Sequence, residues 1–480
     1  MALLAAALAG CALNHQGDRE ISEMLQRYER NRQADSAAYA TLPTTTTQPA
    51  LLRPETPTAE GTEPLSELIR LALERNPDIE AAIDTARSKA SRVPQATALP
   101  DPLFSTKTFP EPVRTAEGDN FFVLGIRQRV PVPEKLDRRG RVALEEARMA
   151  IEQVEQTRLR VIADVKRTYF RIYTIDKSIQ ITRENKRLLR DLIDVTRAQV
   201  EVGMRPQEDV LRAQVEHSNL ERELIEFRQQ RETVVALLNA LLDRPTTTTV
   251  ATPPDYDARR VDLHLDRLFD QALAQNPILR RLQRQIARDE EGVRLARLAY
   301  WPDFTIGFEW MQMDPRAAFR PRVNPQTGVR PRVSQLSKDG SDNWGITFGF
   351  NIPLWYQKIE AGIREAQHQS SASRRRYVSA KNTLLARVND GLARVNAERD
   401  VAELYSTTII PQAKQAYEVS RVGYVAGSST FEFVIDNWQK WLQFRILYYR
   451  TLAQLEQSVA DLEQAVGVSI VEAAAGPTRE

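Results

Sequence analysis

The residues with the chemistry to bind or react are few along this chain, and their spacing assembles no reaction centre. The four histidines, His15, His217, His264 and His368, lack the short intervals that metal ligands use. Met311 and Met313 carry soft sulfur, but they stand in a run with Phe304, Phe308 and Trp310, where packing or wall lining is the simpler role. No nucleophile elbow, phosphate loop or zinc motif occurs, so no catalytic residue, no metal site and no cofactor is expected. What remains is charge. Glu201 and Glu418 lie near two glycine-bearing segments, with Arg197 and Arg421 close by. Solvated helix faces are the plain reading of these four residues.

Composition says what must position such groups. The chain has 480 residues, of which 42% are hydrophobic and 27% charged, enough to bury a core. Basic and acidic residues number 66 and 64, which argues against a nucleic-acid partner, since that role needs a basic surplus. No run of 18 apolar residues occurs, so a helical membrane span is excluded; a β-barrel is not, because only alternate strand residues must face lipid. The single cysteine, Cys11, forbids an internal disulfide. It closes the short apolar opening with Leu8-Ala9-Gly10, which resembles the lipobox of bacterial lipoproteins, whose cysteine is lipidated. An incidental cysteine in an apolar opening is the plainer alternative, and the basic residues that ordinarily precede a signal are missing.

The organisation follows from a repeat. Leu65-Ser-Glu-Leu68 and Ala72-Leu-Glu-Arg-Asn-Pro77 return as Leu265-Asp-Arg-Leu268 and Ala272-Leu-Ala-Gln-Asn-Pro277. Pro100-Asp101 returns as Pro302-Asp303, Val130-Pro131 as Ile352-Pro353, and Val202-Gly203 as Val422-Gly423. The boundaries expected are a lipoprotein-type signal over 1–11, an extended segment over 12–64, a first repeat over 65–245, a linker over 246–262, a second repeat over 263–468 and a tail over 469–480. Each repeat reads helix, strand, strand, long helix, turn, long helix. Val154, Val161, Val165, Tyr169, Ile172 and Ile179 mark one apolar stripe. No proline or glycine interrupts 141–202, which predicts a helix on the order of 90 Å long. The second repeat predicts helices over about 360–422 and 431–466, with Gly391 and Pro411 expected to bend or break the first of them.

Between these helices the period changes to two. Trp344, Ile346, Phe348 and Phe350 alternate with Gly345, Thr347, Gly349 and Asn351. Phe304, Ile306, Phe308 and Trp310 alternate with small and polar residues, as do Phe122, Leu124 and Ile126. The stretch 102–110 is the weakest of four strands. Such alternation fits a membrane barrel, with aromatics toward lipid and Asp303, Glu309, Arg127 and Asn351 toward water. Four strands close no wide barrel alone, and unpaired edges are costly in lipid. Three copies would supply twelve strands, so a homotrimer is expected. The stretch 314–342, rich in Arg316, Arg320, Arg322, Arg330 and Arg332, reads as an external loop. A lipid-anchored periplasmic scaffold of coiled coils explains the long helices as well, and a soluble β-layer with one face buried on the helices is the alternative for the strands, although helices this long do not suit a compact domain.

With these features the sequence resembles the TolC family of outer-membrane factors over roughly 65–468. The resemblance rests on the duplicated plan and on the turns Val202-Gly-Met-Arg-Pro-Gln-Glu-Asp-Val210 and Val422-Gly-Tyr-Val-Ala-Gly-Ser-Ser-Thr430. Leu237-Leu-Asn-Ala-Leu-Leu-Asp-Arg-Pro245 adds to it, while Leu99-Pro-Asp-Pro102 and Leu124-Gly-Ile-Arg-Gln-Arg-Val-Pro131 are most similar to the heavy-metal efflux branch. The resemblance implies a mainly α chain with a membrane β-barrel part: a trimeric 12-stranded barrel continued by an α-helical barrel. It implies the outer membrane of a Gram-negative bacterium, with a periplasmic adaptor and an inner-membrane pump of the resistance–nodulation–division type as partners, and a passive duct with no chemistry of its own. Heavy-metal cations, the organic compounds of multidrug efflux, or polypeptides of type I secretion are all compatible cargo. The family's hairpin tips, which close the tunnel and meet the adaptor, correspond to Gly203, Met204 and Arg205 and to Gly423, Tyr424, Val425, Ala426 and Gly427. Some members of that family carry rings of carboxylates just inside the tip that select cations, a role the resemblance would give to Glu201 and Glu418, where threefold symmetry would focus the field in a narrow tunnel. Arg197 and Arg421 close by would oppose that field or form ion pairs that hold the tip shut, and ordinary solvated helix faces account for the four equally well.

Overall fold

A computed structural model describes residues 64–115, 118–253, 263–314 and 340–469, together with Glu23, Gln26, Tyr256 and Gln326. Cys11, the arginine-rich stretch and the C-terminal tail beyond 469 lie outside the described residues. Helices α1 (Leu65–Arg75), α2 (Pro77–Ala90) and α3 (Arg92–Thr97) lead to strands β1 (Leu103–Thr115) and β2 (Gly118–Val130). Then come α4 (Pro133–Glu201) and α5 (Gln207–Leu241). The second repeat gives α6 (Leu265–Gln275), α7 (Pro277–Arg297), β3 (Phe304–Asp314), β4 (Asn343–Phe350), α8 (Tyr356–Leu404), α9 (Ile410–Val425) and α10 (Phe431–Val466). No helix among the described residues is long and apolar enough to cross a membrane.

The repeated Asn-Pro shows why both repeats begin alike. Proline pushes the residue before it out of the helical region, so α1 ends at Asn76 and α6 at Asn276, both extended. Proline then opens the next helix, where its missing N–H is no loss. Each asparagine is buried and caps that helix: Asn76 Oδ1 accepts from Asp78 N at 3.0 Å, and Asn276 Oδ1 from Ile278 N at 2.9 Å. Each also donates back to the final helix of its own repeat, Asn76 to Leu241 O and Asn276 to Ala465 O, both at 2.8 Å.

The chain divides into two compact units, each drawing on both repeats. One takes in Arg87–Ala147 and Arg284–Arg374 and holds the sheet. Its four strands are antiparallel in the order β1-β2-β3-β4, leaving one edge of β1 and one of β4 without a partner among the described residues. The other takes in the described parts of Glu23–Ala86, Arg148–Gln283 and Arg375–Glu480. Its largest core gathers Leu68, Ile69, Ile83, Val165, Ile172 and Leu238. A second, aromatic core holds Tyr417, Tyr424, Phe431 and Trp438.

Two expectations are corrected, and the break expected at Pro411 takes a particular form. Helix α4 starts at Pro133 rather than near 141 and runs through Gly140. That glycine is a packing requirement and not a break, since a Cβ there would collide with Thr97 Cγ2. Gly391 likewise leaves α8 unbroken, its bare Cα facing Leu462, whose Cδ1 would lie 3.2 Å from an added Cβ. Pro411 does not simply bend the helix: a five-residue π-helical turn, Tyr405–Ile409, precedes it. A wider turn relieves the clash of the proline ring with the preceding carbonyls. The weakest strand does form, but the β1–β2 register shifts between Thr108 and Val113, where Pro110 and Pro112 lack ladder donors.

Candidate functional site

Two places carry the sequence's candidate residues. The first is the pair of hairpin turns, α4–α5 and α9–α10. At the first, Gly203 takes φ +77°, and its N–H and that of Met204 close onto Val200 O and Gln199 O, both at 2.9 Å. At the second, Gly427 takes φ +84°. Only glycine adopts such backbone cheaply. Gly423 plays another part. It lies within α9, where its lack of a Cβ makes room for Ser429 Cβ and Ser428 Oγ, which would stand 3.2 and 3.3 Å from one.

The turns are tied together. Arg205 Nη2 donates to Tyr424 O at 2.6 Å and to Ser429 O at 3.2 Å, and its guanidinium lies 4.3 Å from the centre of the Tyr424 ring. Tyr424 is fully buried, at 0% exposure, edge-on to Phe431, and its hydroxyl donates to Asp209 Oδ2 at 3.0 Å. Gln199 Nε2 donates to Val425 O at 3.4 Å. Burial pushes the Tyr424 phenol up to about 12, assisted by the Asp209 carboxylate, while a hydrogen bond with Thr196 opposes the rise. Thus two of the eight tip residues, Arg205 and Tyr424, are committed to bracing one hairpin against the other. Met204, 74% exposed, and Val425, Ala426 and Gly427 face outward, and Val202 and Val422 beside them are exposed as well.

Among the described residues, Glu201, Glu418, Arg197 and Arg421 make no ion pair with one another. Arg197 lies 3.6 Å from Asp194 instead, and Glu418 lies 3.8 Å from Lys414, both along one helix. All four are exposed. Sequence reasoning missed Asp209, Gln199 and Thr196 as partners of the brace. Asp209 stands inside the first turn motif, but nothing local says that it meets Tyr424.

The second place is the sheet. Its register sorts the alternating residues onto two faces. Ile126, Phe308 and Ile346 align across β2, β3 and β4, as do Leu124, Trp310 and Trp344. Ile306 aligns with Phe348 and Phe304 with Phe350. Phe104 of β1 joins the first row. Phe348 is the most exposed residue of this apolar face, at 76%, while Leu124, Ile306 and Trp310 are half-buried. A face this apolar is not stable against water and marks a membrane or partner surface. On the opposite face stand Arg127, Glu309, Thr305, Thr347 and several glycines. At the base of β3, the buried Lys135 Nζ donates to Asp303 Oδ1 and to Trp301 O, both at 2.7 Å, and Arg129 Nη2 to Asp303 Oδ2 at 2.7 Å. Among the described residues no group of His, Cys, Asp and Glu is arranged to hold a metal ion.

The comparisons agree with this geometry. A family model described as outer membrane efflux protein matches residues 68–243 and 268–468, one span in each repeat. The cobalt-zinc-cadmium resistance protein CzcC of Cupriavidus metallidurans is 19% identical over 412 residues, covering 85% of this chain and 91% of that protein. The pyoverdine export outer membrane protein OpmQ of Pseudomonas putida is 22% identical over 430 residues, covering 84% and 85%. Among solved structures, the Campylobacter jejuni CmeC outer membrane channel superposes with a TM-score of 0.68 at 16% identity, covering 84% of this chain and 85% of that one.

Proposed function

Because the chain belongs to the family of outer membrane efflux proteins, we infer that it is the passive outer-membrane channel of a tripartite efflux system, assembled from three copies. The observation that supports this most directly is the sheet with one apolar, exposed face, one polar face and two edges unpartnered among the described residues. In hydrocarbon each unpaired backbone group costs several kcal/mol, so edges must meet other copies. Three four-stranded sheets make a twelve-stranded wall, an even number in the range bacterial barrels use. A periplasmic scaffold would have no use for the exposed aromatics of β3 and β4.

The helical hairpins are read as the periplasmic part of the duct, with the outward apolar tip formed by Gly203, Met204, Val425, Ala426 and Gly427 as the contact for a periplasmic adaptor. Exposed Met and Val beside positive-φ glycines give a small apolar surface that another helix pair can approach closely. Arg205 and Tyr424 support that surface from within. The pump that energises transport is of the resistance–nodulation–division type, and a lipid on Cys11 adds a membrane anchor.

For cargo, divalent heavy-metal cations are the leading reading, supported by the similarity to CzcC over most of both chains. The similarity to OpmQ, named for pyoverdine export, supports organic cargo as the second reading. A susceptibility panel on a strain lacking this protein separates them. Sensitivity to cobalt, zinc and cadmium salts, with unchanged tolerance of dyes and antibiotics, is expected; sensitivity to organic compounds alone would move the reading to multidrug or pyoverdine export.

A further inference from the structure

The two repeats build their hairpins on one register. Aligning Pro100-Asp101 with Pro302-Asp303 and Val130-Pro131 with Ile352-Pro353 carries β1 onto β3 and β2 onto β4. Leu103 opposite Arg127 then becomes Thr305 opposite Gly349, and Thr108 opposite Phe122 becomes Trp310 opposite Trp344. Every pair from Leu103 to Thr108 has its counterpart in the second hairpin. The joint between the hairpins is β2 against β3, with Gln128 opposite Ile306 and Arg127 opposite Gly307. The same alignment turns those pairs into Phe350 opposite Phe104 and Gly349 opposite Ser105. In one chain these residues lie on β4 and β1, the two ends of the sheet, and do not meet. Polar contacts at the base of the strands show the same gap. At the inner joint the buried Asp303 accepts from Lys135 and Arg129, both at 2.7 Å. The counterparts of these three residues are Asp101, Gln357 and Asn351, and all are exposed. Asn351 Oδ1 accepts from Asp303 N within its own chain, which leaves its Nδ2 end to donate.

We propose that β4 of one copy joins β1 of the next in the register of β2 on β3, with Gln357 of the partner subunit and Asn351 of the partner subunit as the donors to Asp101. This rests on the reading of the sheet as one third of a barrel wall. The register sets Phe104 beside Phe350 on the apolar face, an aromatic cross-strand pair, and Ser105 beside Gly349 on the other. A slip of one residue would turn Phe104 away from the apolar face. A slip of two would keep the faces but part Asp101 from both amides. Copies with two like hairpins each then close through like joints throughout, as a ring of identical chains requires. The joints differ in chemistry. Within a chain Asp303 is held by two cations. Between copies Asp101 is held by two neutral amides, so the seam between subunits is the weaker one.

The test is disulfide formation in membranes from cells making the full chain with Cys11→Ser. Directly opposed residues of antiparallel strands lie within disulfide reach, whereas diagonal ones, about 7–8 Å apart, lie beyond it. Gly349→Cys with Ser105→Cys should give reducible trimers on oxidation. A Cβ at Gly349 is tolerated, meeting only Thr305 Cβ at 3.9 Å. The diagonal pairs, Thr347→Cys with Ser105→Cys and Gly349→Cys with Lys107→Cys, should link several-fold less. Gln357→Glu sets two carboxylates together, so its trimer should dissociate at a lower temperature than wild type, and adding Asp101→Asn should restore the wild-type value. Trimers, shown by amine crosslinking, in which a diagonal pair links as well as the direct pair would overturn the register. An unchanged dissociation temperature in Gln357→Glu, or a fall that Asp101→Asn does not reverse, would overturn the donors assigned to Asp101. If the cysteine chains do not assemble, the Gln357→Glu rescue decides. Wild-type membranes that hold only monomer by amine crosslinking would reject the three-copy reading itself, and the register with it.

Discussion

At the scale of single residues, the tip is governed by a brace. Arg205 reaches across from one hairpin to two carbonyls of the other and covers the Tyr424 ring. Replacing it with alanine leaves the buried Tyr424 carbonyl and ring without their cation, a loss of about 2 kcal/mol. Arg205→Ala is expected to raise channel conductance and to sensitise the tip to protease, while Arg205→Lys, a point charge without the planar fork, restores only part. The phenol of Tyr424 gives the same brace a pH dependence. Its value in the folded chain, about 12, lies above the ordinary 10. The folded state therefore holds the proton more tightly than the unfolded one, and the stability is fully present below pH 10 and lost as pH rises through 12. Conductance of wild type should stay flat to about pH 10 and climb beyond it. In Tyr424→Phe, which cannot titrate, the alkaline climb should vanish; a Phe variant that still shows it would assign the transition to another group.

At the scale of elements, two devices invite tests. The buried asparagine of each repeat both caps a helix and ties it to the repeat's last helix. Asn76→Ala and Asn276→Ala should each cost about 1–3 kcal/mol, because a cap is lost and a part-buried carbonyl loses its donor. The melting temperature of the assembled protein reads this, with the aspartate variants, which keep the cap acceptor, falling in between. On the sheet, Phe348→Arg puts a charge on the apolar face and should lower membrane insertion by about 2–4 kcal/mol, whereas Thr347→Arg, one residue on and on the other face, should insert normally. Equal effects would show that the two faces are not distinguished by lipid. These devices also mark what could be read from the sequence. The Asn-Pro repeat, the period of two over β3 and β4 and the helix over 431–466 are local patterns, and they stand as expected. What could not be read depends on contacts between distant residues. Gly140 looks like a helix breaker until Thr97 is seen against it. The π turn before Pro411 answers a steric demand that has several local solutions. Tyr424 sits in a turn motif and reads as exposed, yet it is buried by Phe431, Arg205 and Asp209, two of them supplied from more than 200 residues away.

At the scale of the whole molecule, folding in the membrane and association should be one event. The sheet's order leaves β1 and β4 each with an edge unpartnered among the described residues. A single copy placed in hydrocarbon would expose both rows of N–H and C=O groups at several kcal/mol per group, far more than the apolar face of four strands can offset. Three copies remove every edge at once, whereas two leave the ring open or too small for its lining. A membrane-embedded monomer is therefore not expected at any expression level. The check is crosslinking of carbonate-washed membranes from cells making a Cys11→Ser chain, so that a lipid on Cys11 cannot hold unassembled copies at the surface. Three-chain species alone should survive the wash, with monomer confined to the soluble fraction. A dilution series should lower the amount of trimer without creating embedded monomer. Paired substitutions Ile346→Pro and Phe348→Pro, which delete ladder donors in β4, should abolish embedding and trimer together while the helices keep their circular dichroism. Embedded monomer in wild-type membranes would mean that the strand edges are covered within one chain, and the barrel would then have to be built from residues other than these four strands.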